Sequence, residues 1–154
     1  MQCLILLQII IALLAAMFVA KNSLFRKFLR SVFFLPFICS LTAIGILWTF
    51  LLDPQTGIIT HYFHQLGLPR IAFLRDPDLA MPTVILMTVW RNFGYSMVIL
   101  VAGIQSIPKT YYEASQIDGA GKVRQFFTIT LPMLVPALYF CVILQSIQAL
   151  QVFG

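Results

Sequence analysis

Long apolar stretches alternate with short polar connectors along the chain. The apolar stretches cover residues 3–20, 32–52, 79–103 and 131–151. Each is near or above the ~20 residues that an α-helix needs to cross a hydrocarbon core about 30 Å thick. Runs of this length with so few charges are typical of membrane-spanning helices. The pattern therefore predicts one all-α integral membrane domain over residues 1–154, with four transmembrane helices.

Composition agrees with a membrane protein. The chain is 60% apolar and 10% charged, with a mean hydropathy of +0.94, whereas soluble domains carry roughly 25% charged residues. The first apolar stretch has the length of a signal peptide, but no basic residue precedes it and no clear small-residue cleavage site ends it before Lys21. We therefore expect the first stretch to be a retained span.

Charge in the connectors predicts the orientation. The first connector has four basic residues and no acid, and the third also carries basic residues, so the positive-inside rule places both in the cytoplasm. The second, from Asp53 to Asp78, mixes both signs and is then external. Both chain ends would lie outside, close to a span, from which we expect a sequence truncated at both ends. The basic residues are Lys21, Arg26, Lys27 and Arg30 in the first connector, and Lys109, Lys122 and Arg124 in the third.

The third connector carries an ordered motif. Residues 113–132 read EASQIDGAGKVRQFFTITLP. The motif consists of an acid, two small residues, a glycine six positions after the acid, an isoleucine ten further on, and a Leu-Pro pair. Its residues are Glu113, Ala114, Ser115, Gly119, Ile129, Leu131 and Pro132. This spacing resembles the EAA loop of the permease subunits of ATP-binding-cassette (ABC) importers, through which such a subunit contacts its ATPase. Ser115 replaces the second alanine of that motif, a small-for-small change.

The physical properties of the loop agree with a docking element. A helix over about 107–118 is predicted, with Ser106 as its cap, Pro108 in its first turn and Asp118-Gly119 as its stop. Residues at i, i+3, i+4 and i+7 then form one stripe that combines an aromatic anchor with small side chains. The alternative is an ordinary amphipathic connector. The predicted coupling residues within the loop 104–130 are Tyr111, Glu113, Ala114, Ser115, Asp118, Gly119, Ala120 and Gly121.

Further motifs extend the resemblance over nearly the whole chain and indicate the sugar branch of importer permeases, similar to those for maltose and glycerol phosphate. They are FFLP at 33–36, Trp48 before Asp53-Pro54 and Gly57, WRNFGY at 90–95, and AGIQSIP at 102–108. The resemblance implies a six-helix core of which this chain supplies the second to fifth helices, in a bacterial-type cytoplasmic (inner) membrane. It also implies three kinds of protein partner: a second permease subunit, identical or homologous; two cytoplasmic ATPase subunits; and an extracytoplasmic solute-binding protein.

Catalytic and cofactor motifs are not supported. Residues 119–122 read GAGK, but a phosphate-binding loop also needs glycine at Gln116 and a hydroxyl residue at Val123. We therefore expect ATP and Mg to be bound by the partner ATPase and no cofactor by this chain. His61 and His64 have no third metal ligand nearby, and the three cysteines lack a C-x-x-C spacing. The net charge of +5 reflects residues flanking spans, which membrane lipids explain better than nucleic acid does.

Polar residues within two spans are the candidates for a solute pathway. Polar side chains are costly in hydrocarbon unless they face protein or a water-filled cavity. Amides, charged groups and stacked aromatic rings are also the groups that bind sugars, and the resemblance places the substrate cavity on these two helices. The alternative is that the same residues are hydrogen-bonding contacts between helices. The candidates are Arg91, Asn92, Tyr95, Gln145 and Gln148.

Two other function classes stay open at this point. One is a fragment of an ion-coupled secondary transporter, which would require a membrane-embedded acid or paired discontinuous helices. No Asp or Glu lies well inside any predicted span. The other is a membrane scaffold without a pathway, which leaves Arg91 within a span unexplained. The resemblance favours the permease of an ABC importer for carbohydrates.

Overall fold

The protein is predominantly helical in the part of the chain that a computed structural model describes, residues 2–20, 23–65, 67 and 72–151. Side chains are described for residues 7–20, 23–65, 67 and 72–148. The predicted all-α class is confirmed. The helices are α1 (Gln2–Val19), α2 (Leu24–Ile38), α3 (Leu41–Leu51), α4 (Ile58–Gln65), α5 (Pro77–Ser106), α6 (Lys109–Ile117), α7 (Lys122–Gln125), a π-helical segment π1 (Phe126–Thr130) and α8 (Leu131–Gln151).

Among the described residues, two helices have the length and composition to cross a membrane. They are Pro77–Ser106 and the continuous run Lys122–Gln148. A third span results if α2 and α3 are counted together, although they are bent by 98° at the break between them. α1 has 18 residues, Gln2–Val19, and is shorter than either of these helices. The two long helices cover the third and fourth predicted spans, 79–103 and 131–151.

The predicted span 32–52 is divided between two helices. The break falls at Cys39 and Ser40, where Ser40 has non-helical backbone angles and precedes α3. Pro36 lies one turn earlier inside α2, where its ring removes a backbone N–H and weakens the helical ladder. The hydropathy of this stretch gave no sign of the bend because every residue around it is apolar or small.

The described residues form two compact units, residues 1–34 with 93–154, and residues 35–92. In the first unit, α1, α5 and α8 pack around a buried core. Small residues at Ala12 and Ala16, one turn apart on α1, allow the close helix approach that membrane helices use. The fully or nearly fully buried members of this core are Ala12, Ala16, Val19, Met97, Leu100, Val101 and Cys141.

Two glycines set close contacts of α5 within the first unit. A β-carbon at Gly94 would overlap the backbone of Phe33 in α2, and one at Gly103 would lie 2.8 Å from Leu134 Cδ2 in α8. Only glycine therefore permits the observed approach of α5 to α2.

Candidate functional site

The predicted coupling helix is present as α6, which covers Lys109–Ile117 within the predicted range of 107–118. It ends in a Schellman arrangement, in which the N–H of Ala120 bonds to the carbonyl of Ser115 at 2.9 Å and that of Gly119 to Gln116 at 3.0 Å. Gly119 adopts φ +73°, which confirms the predicted left-handed position. The chain thus reverses sharply directly after Asp118.

The prediction for the start of this helix is wrong in one respect. Pro108, rather than Ser106, occupies the capping position of α6. Proline disfavours a helical conformation at the residue before it, so Ile107 interrupts the helix between α5 and α6. Ser106 instead belongs to the last turn of α5, where its hydroxyl donates to the carbonyl of Gly103 at 2.8 Å.

α6 is held against the segment that follows it. The hydroxyl groups of Tyr112 and Thr130 lie 2.9 Å apart, which joins α6 to the end of π1. The side chain of Gln125 is buried and donates to the carbonyl of Ala120 at 3.2 Å. The loop is therefore a folded unit whose two halves are bonded to each other.

The predicted docking residues divide between an exposed face and a recess. Tyr111 is 52% exposed, and Glu113 and Ala114 are also exposed on α6. Gly121 follows the turn and is exposed as well. The recess, of about 140 Å³, is lined by Ser115, Asp118, Ala120, Arg124, Gln125, Thr128 and Ile129. Three of the predicted coupling residues thus share one concave surface with residues after the turn.

The π-helical segment π1 was not predicted, although the sequence contains a signal for it. Pro132 follows in the first turn of α8, where its ring would clash with the carbonyl of Thr128 in a regular α-helix. A π-turn widens the backbone at that point, and such turns are frequent at functional sites. Thr130, at the end of π1, is the residue that bonds Tyr112.

In the second compact unit, Arg91 is held by an aromatic ring and an amide. Its guanidinium carbon lies 5.7 Å from the centre of the Phe37 ring, and its Nη1 is 3.4 Å from Asn92 Oδ1. Arg91 Nε is buried without a hydrogen-bond partner among the described residues. Trp90 packs edge-on against Trp48 at 5.4 Å. The guanidinium of Arg91 thus lies beside an aromatic ring, with an Nε donor that is free for a further hydrogen bond among the described residues.

In the first compact unit, Gln145 bonds to a neighbouring helix. Its Nε2 donates to Ser96 Oγ at 2.9 Å, and both side chains are buried, Gln145 to 5% and Ser96 to 1% exposure. Ser96 was not among the predicted residues, because one sequence gives no sign of which distant helix faces α8. Tyr95 and Gln148 are half-buried in the same unit. Of the predicted pathway residues, Arg91 and Asn92 are hydrogen-bonded to each other.

The connector before α5 contains a tight polar turn. Asp53 Oδ1 accepts the backbone N–H groups of Thr56 and Gln55, both at 2.9 Å, and these bonds hold the pKa of Asp53 below its usual value of 3.8. A β-carbon at Gly57 would collide with the backbone of Asp53. His61 bonds Gln65 at 3.2 Å, and no group of potential metal ligands is found among the described residues.

Comparison with known proteins extends over most of the chain. Residues 8–153 match the model of a family described as binding-protein-dependent transport system inner membrane component. A probable ABC transporter permease protein of Bacillus subtilis, YurN, is 38% identical over 88% of this chain and 48% of its own length. The sn-glycerol-3-phosphate transport system permease protein UgpA of Yersinia pestis is 34% identical over 90% of this chain and 48% of its own length.

A third relative and a solved structure have sugar-containing solutes in their names. The sulfoquinovosyl glycerol transport system permease protein SmoG of Agrobacterium fabrum is 32% identical over 81% of this chain and 41% of its own length. A crystal structure of a bacterial alginate ABC transporter, in complex with alginate pentasaccharide-bound periplasmic protein, superimposes with a TM-score of 0.79 and 28% identity. The match covers 89% of this chain and 50% of that one. The chain thus spans about half the length of the relatives it matches.

Proposed function

Because the chain belongs to the family of binding-protein-dependent transport system inner membrane components, we propose that it forms half of the pathway of an ATP-driven ABC importer for a carbohydrate or carbohydrate-like solute. In this proposal an external binding protein delivers the solute, and a second permease subunit completes the pathway. Two cytoplasmic ATPase subunits bind and hydrolyse ATP. The chain itself is a non-catalytic transport component.

The proposed coupling of this chain to the ATPase rests on the folded loop around α6. Exposed Tyr111 and Ala114 offer an aromatic anchor beside a small residue, which allows a partner to approach the helix closely. The bond between Tyr112 and Thr130 links α6 to the start of the long helical run that ends in α8. A displacement of α6 by the ATPase would therefore be transmitted directly to a membrane-spanning helix.

The solute class follows from the chemistry of the candidate pathway and from the relatives. Arg91 presents hydrogen-bond donors next to Phe37, and the Trp48–Trp90 pair lies in the same unit. Hydroxyl-rich and anionic solutes suit such donors, while the rings suit the apolar faces of sugars. The relatives named for sn-glycerol-3-phosphate and sulfoquinovosyl glycerol transport carry solutes that are polar and contain a glycerol unit.

Substitution of Gly119 tests the coupling proposal, and Gly67 provides a matched control. Both glycines have positive φ, +73° and +81°, and a β-carbon at either would meet no atom within 4 Å. Valine at either position therefore introduces similar backbone strain, of about 1–3 kcal/mol, without a steric clash.

We expect Gly119→Val to reduce co-purification of the ATPase and transport by about five-fold or more, since about 1 kcal/mol, the lower limit of this strain, corresponds to about five-fold. Membrane insertion should be preserved. Gly67→Val, in the connector on the opposite side, should retain the ATPase. Retention of ATPase and transport at the unsubstituted level in Gly119→Val contradicts the proposed coupling role.

A further inference from the structure

The first half of α2 combines exposed apolar and basic side chains. Leu24, Phe25 and Phe28 are 87%, 66% and 65% exposed. Arg26, Lys27 and Arg30 alternate with them along the same helix. The first 52 residues of the chain contain four charged residues, all of them basic, and no Asp or Glu. This part of α2, residues 24–30, is referred to below as the basic segment.

Contacts with the end of α1 fix the position of the basic segment. Arg30 Nη2 donates to the carbonyl of Val19 at 3.0 Å, and the Arg26 guanidinium lies 5.7 Å from the centre of the Phe18 ring. The next carbonyl, of Ala20, accepts a bond from Gln105 Nε2 at 3.0 Å. These bonds satisfy carbonyls that a helix end leaves without partners. The guanidinium groups of Arg26 and Arg30 therefore lie at the level where the apolar helix α1 ends.

The same exposed apolar side continues towards the membrane. Val32, two turns after Leu24 and one after Phe28, is 44% exposed, and the helix then crosses α5 at Phe33 and Gly94. The basic segment is thus continuous with a helix that enters the apolar layer. A helix with this arrangement lies in the boundary between headgroups and acyl chains, where phenyl rings insert and basic side chains reach the phosphates.

We propose that the basic segment is a binding site for anionic phospholipid of the cytoplasmic leaflet. Clusters of basic residues directly beside a membrane helix attract anionic headgroups. Arg26 and Lys27 supply the contacts to the headgroup phosphate, while Phe25 and Phe28 contact the acyl chains. The assignment of the leaflet rests on the proposed function and its orientation.

The third connector also carries basic residues, but it contains acids as well, which favours lipid rather than protein as the ligand of the basic segment. Around α6 and α7, Lys109, Lys122 and Arg124 are interspersed with the acids Glu113 and Asp118. Mixed charge is suited to a protein surface, whereas an uninterrupted positive charge is suited to an anionic membrane surface. The third connector therefore serves as the control in a test of lipid binding by the basic segment.

The experiment measures lipid preference by native mass spectrometry of the full 154-residue chain in detergent. Phosphatidylglycerol and phosphatidylcholine with identical acyl chains are offered in equal amounts. The test variant is Arg26→Gln with Lys27→Gln, and the control is Lys109→Gln with Lys122→Gln, which removes the same charge. Circular dichroism checks that each variant keeps its helical content.

We expect the preference for phosphatidylglycerol to fall about 25-fold in the test variant, or about five-fold per basic residue. It should change less than two-fold in the control. Lys27→Gln alone should cost about five-fold and keeps the contact of Arg26 with Phe18, so it remains informative if the double variant does not fold. Inorganic phosphate at millimolar concentration should not displace the lipid, because it lacks acyl chains.

Equal losses in the test and control variants would indicate unspecific attraction by total charge and overturn the proposal. An unchanged lipid preference combined with loss of the ATPase from the assembled transporter would identify an acidic protein surface as the occupant instead. Lipid binding is measured on this chain alone, without the ATPase and without transport. A negative lipid result would therefore contradict the lipid site but would leave the proposed importer function untouched.

Discussion

Gln145 donates a hydrogen bond from α8 to α5 between two buried side chains. In a membrane helix bundle such a bond contributes about 0.6 kcal/mol on average and up to about 1.7 kcal/mol. We expect Gln145→Met, which keeps the side-chain length, to lower the stability of the protein by about 1 kcal/mol in thermal unfolding. A double-mutant cycle with Ser96→Ala isolates this bond. Gln148→Met, at a half-buried position, is the control and should have a smaller effect. A coupling energy of zero would show that the bond contributes nothing.

Substitution of Arg91, in contrast, is expected to change solute transport rather than protein stability. Its Nε has no partner among the described residues, so replacement by methionine removes donor capacity without breaking an internal hydrogen bond of that atom. In the assembled transporter, we expect Arg91→Met to change solute affinity or selectivity while the yield of the complex stays within about two-fold, because the hydrogen bond lost to Asn92 Oδ1 is long, 3.4 Å, and Asn92 is only partly buried. Reduced yield with unchanged selectivity would assign Arg91 to helix packing instead.

At the scale of elements, the crossing of α5 over α2 depends on Gly94. A methyl group there would overlap the backbone of Phe33, and backbone atoms cannot rotate aside as a flexible side chain does. We expect Gly94→Ala to destabilise the protein by about 1–3 kcal/mol, as overpacking does. Gly45→Ala in α3 is the matched control, because a β-carbon at Gly45 has no atom within 4 Å and alanine favours a helix. Equal melting temperatures for both variants in detergent would contradict the close crossing.

The turn at Asp53 predicts a pH dependence. Backbone N–H groups of Thr56 and Gln55 stabilise the charged carboxylate, so the pKa of Asp53 is lowered in the folded protein. The contribution of this charge to stability is complete above the usual Asp pKa of 3.8 and is lost as pH falls through the lowered pKa of the folded protein. We expect wild type to melt above Asp53→Asn at pH 7, and this difference to vanish below the folded pKa. A difference independent of pH would exclude the carboxylate charge as its cause.

At the scale of the whole molecule, hydropathy and one loop motif predicted most of the architecture. The all-α membrane fold is confirmed, and so is the left-handed Gly119, because long apolar runs and a Gly after a helical stripe are local signals. The bend after Ile38, the π-turn before Pro132 and the Gln145–Ser96 bond were missed. The bend and the π-turn are backbone adjustments near prolines within apolar sequence, which a hydropathy pattern does not show. The Gln145–Ser96 bond joins residues 49 positions apart, which a local pattern cannot relate to each other. The pathway and coupling residues stay predictions.

The central claim is that the loop around α6 contacts the ATPase, and site-specific cross-linking tests it most directly. Two exposed tyrosines make a matched pair, Tyr111 on α6 at 52% exposure and Tyr62 on α4 at 63%. Each is replaced singly by the photoreactive residue benzoylphenylalanine in the assembled transporter. We predict that position 111 cross-links to the ATPase and that position 62, in the connector predicted to lie outside, does not. An ATPase cross-link from position 62 and none from position 111 would contradict the account.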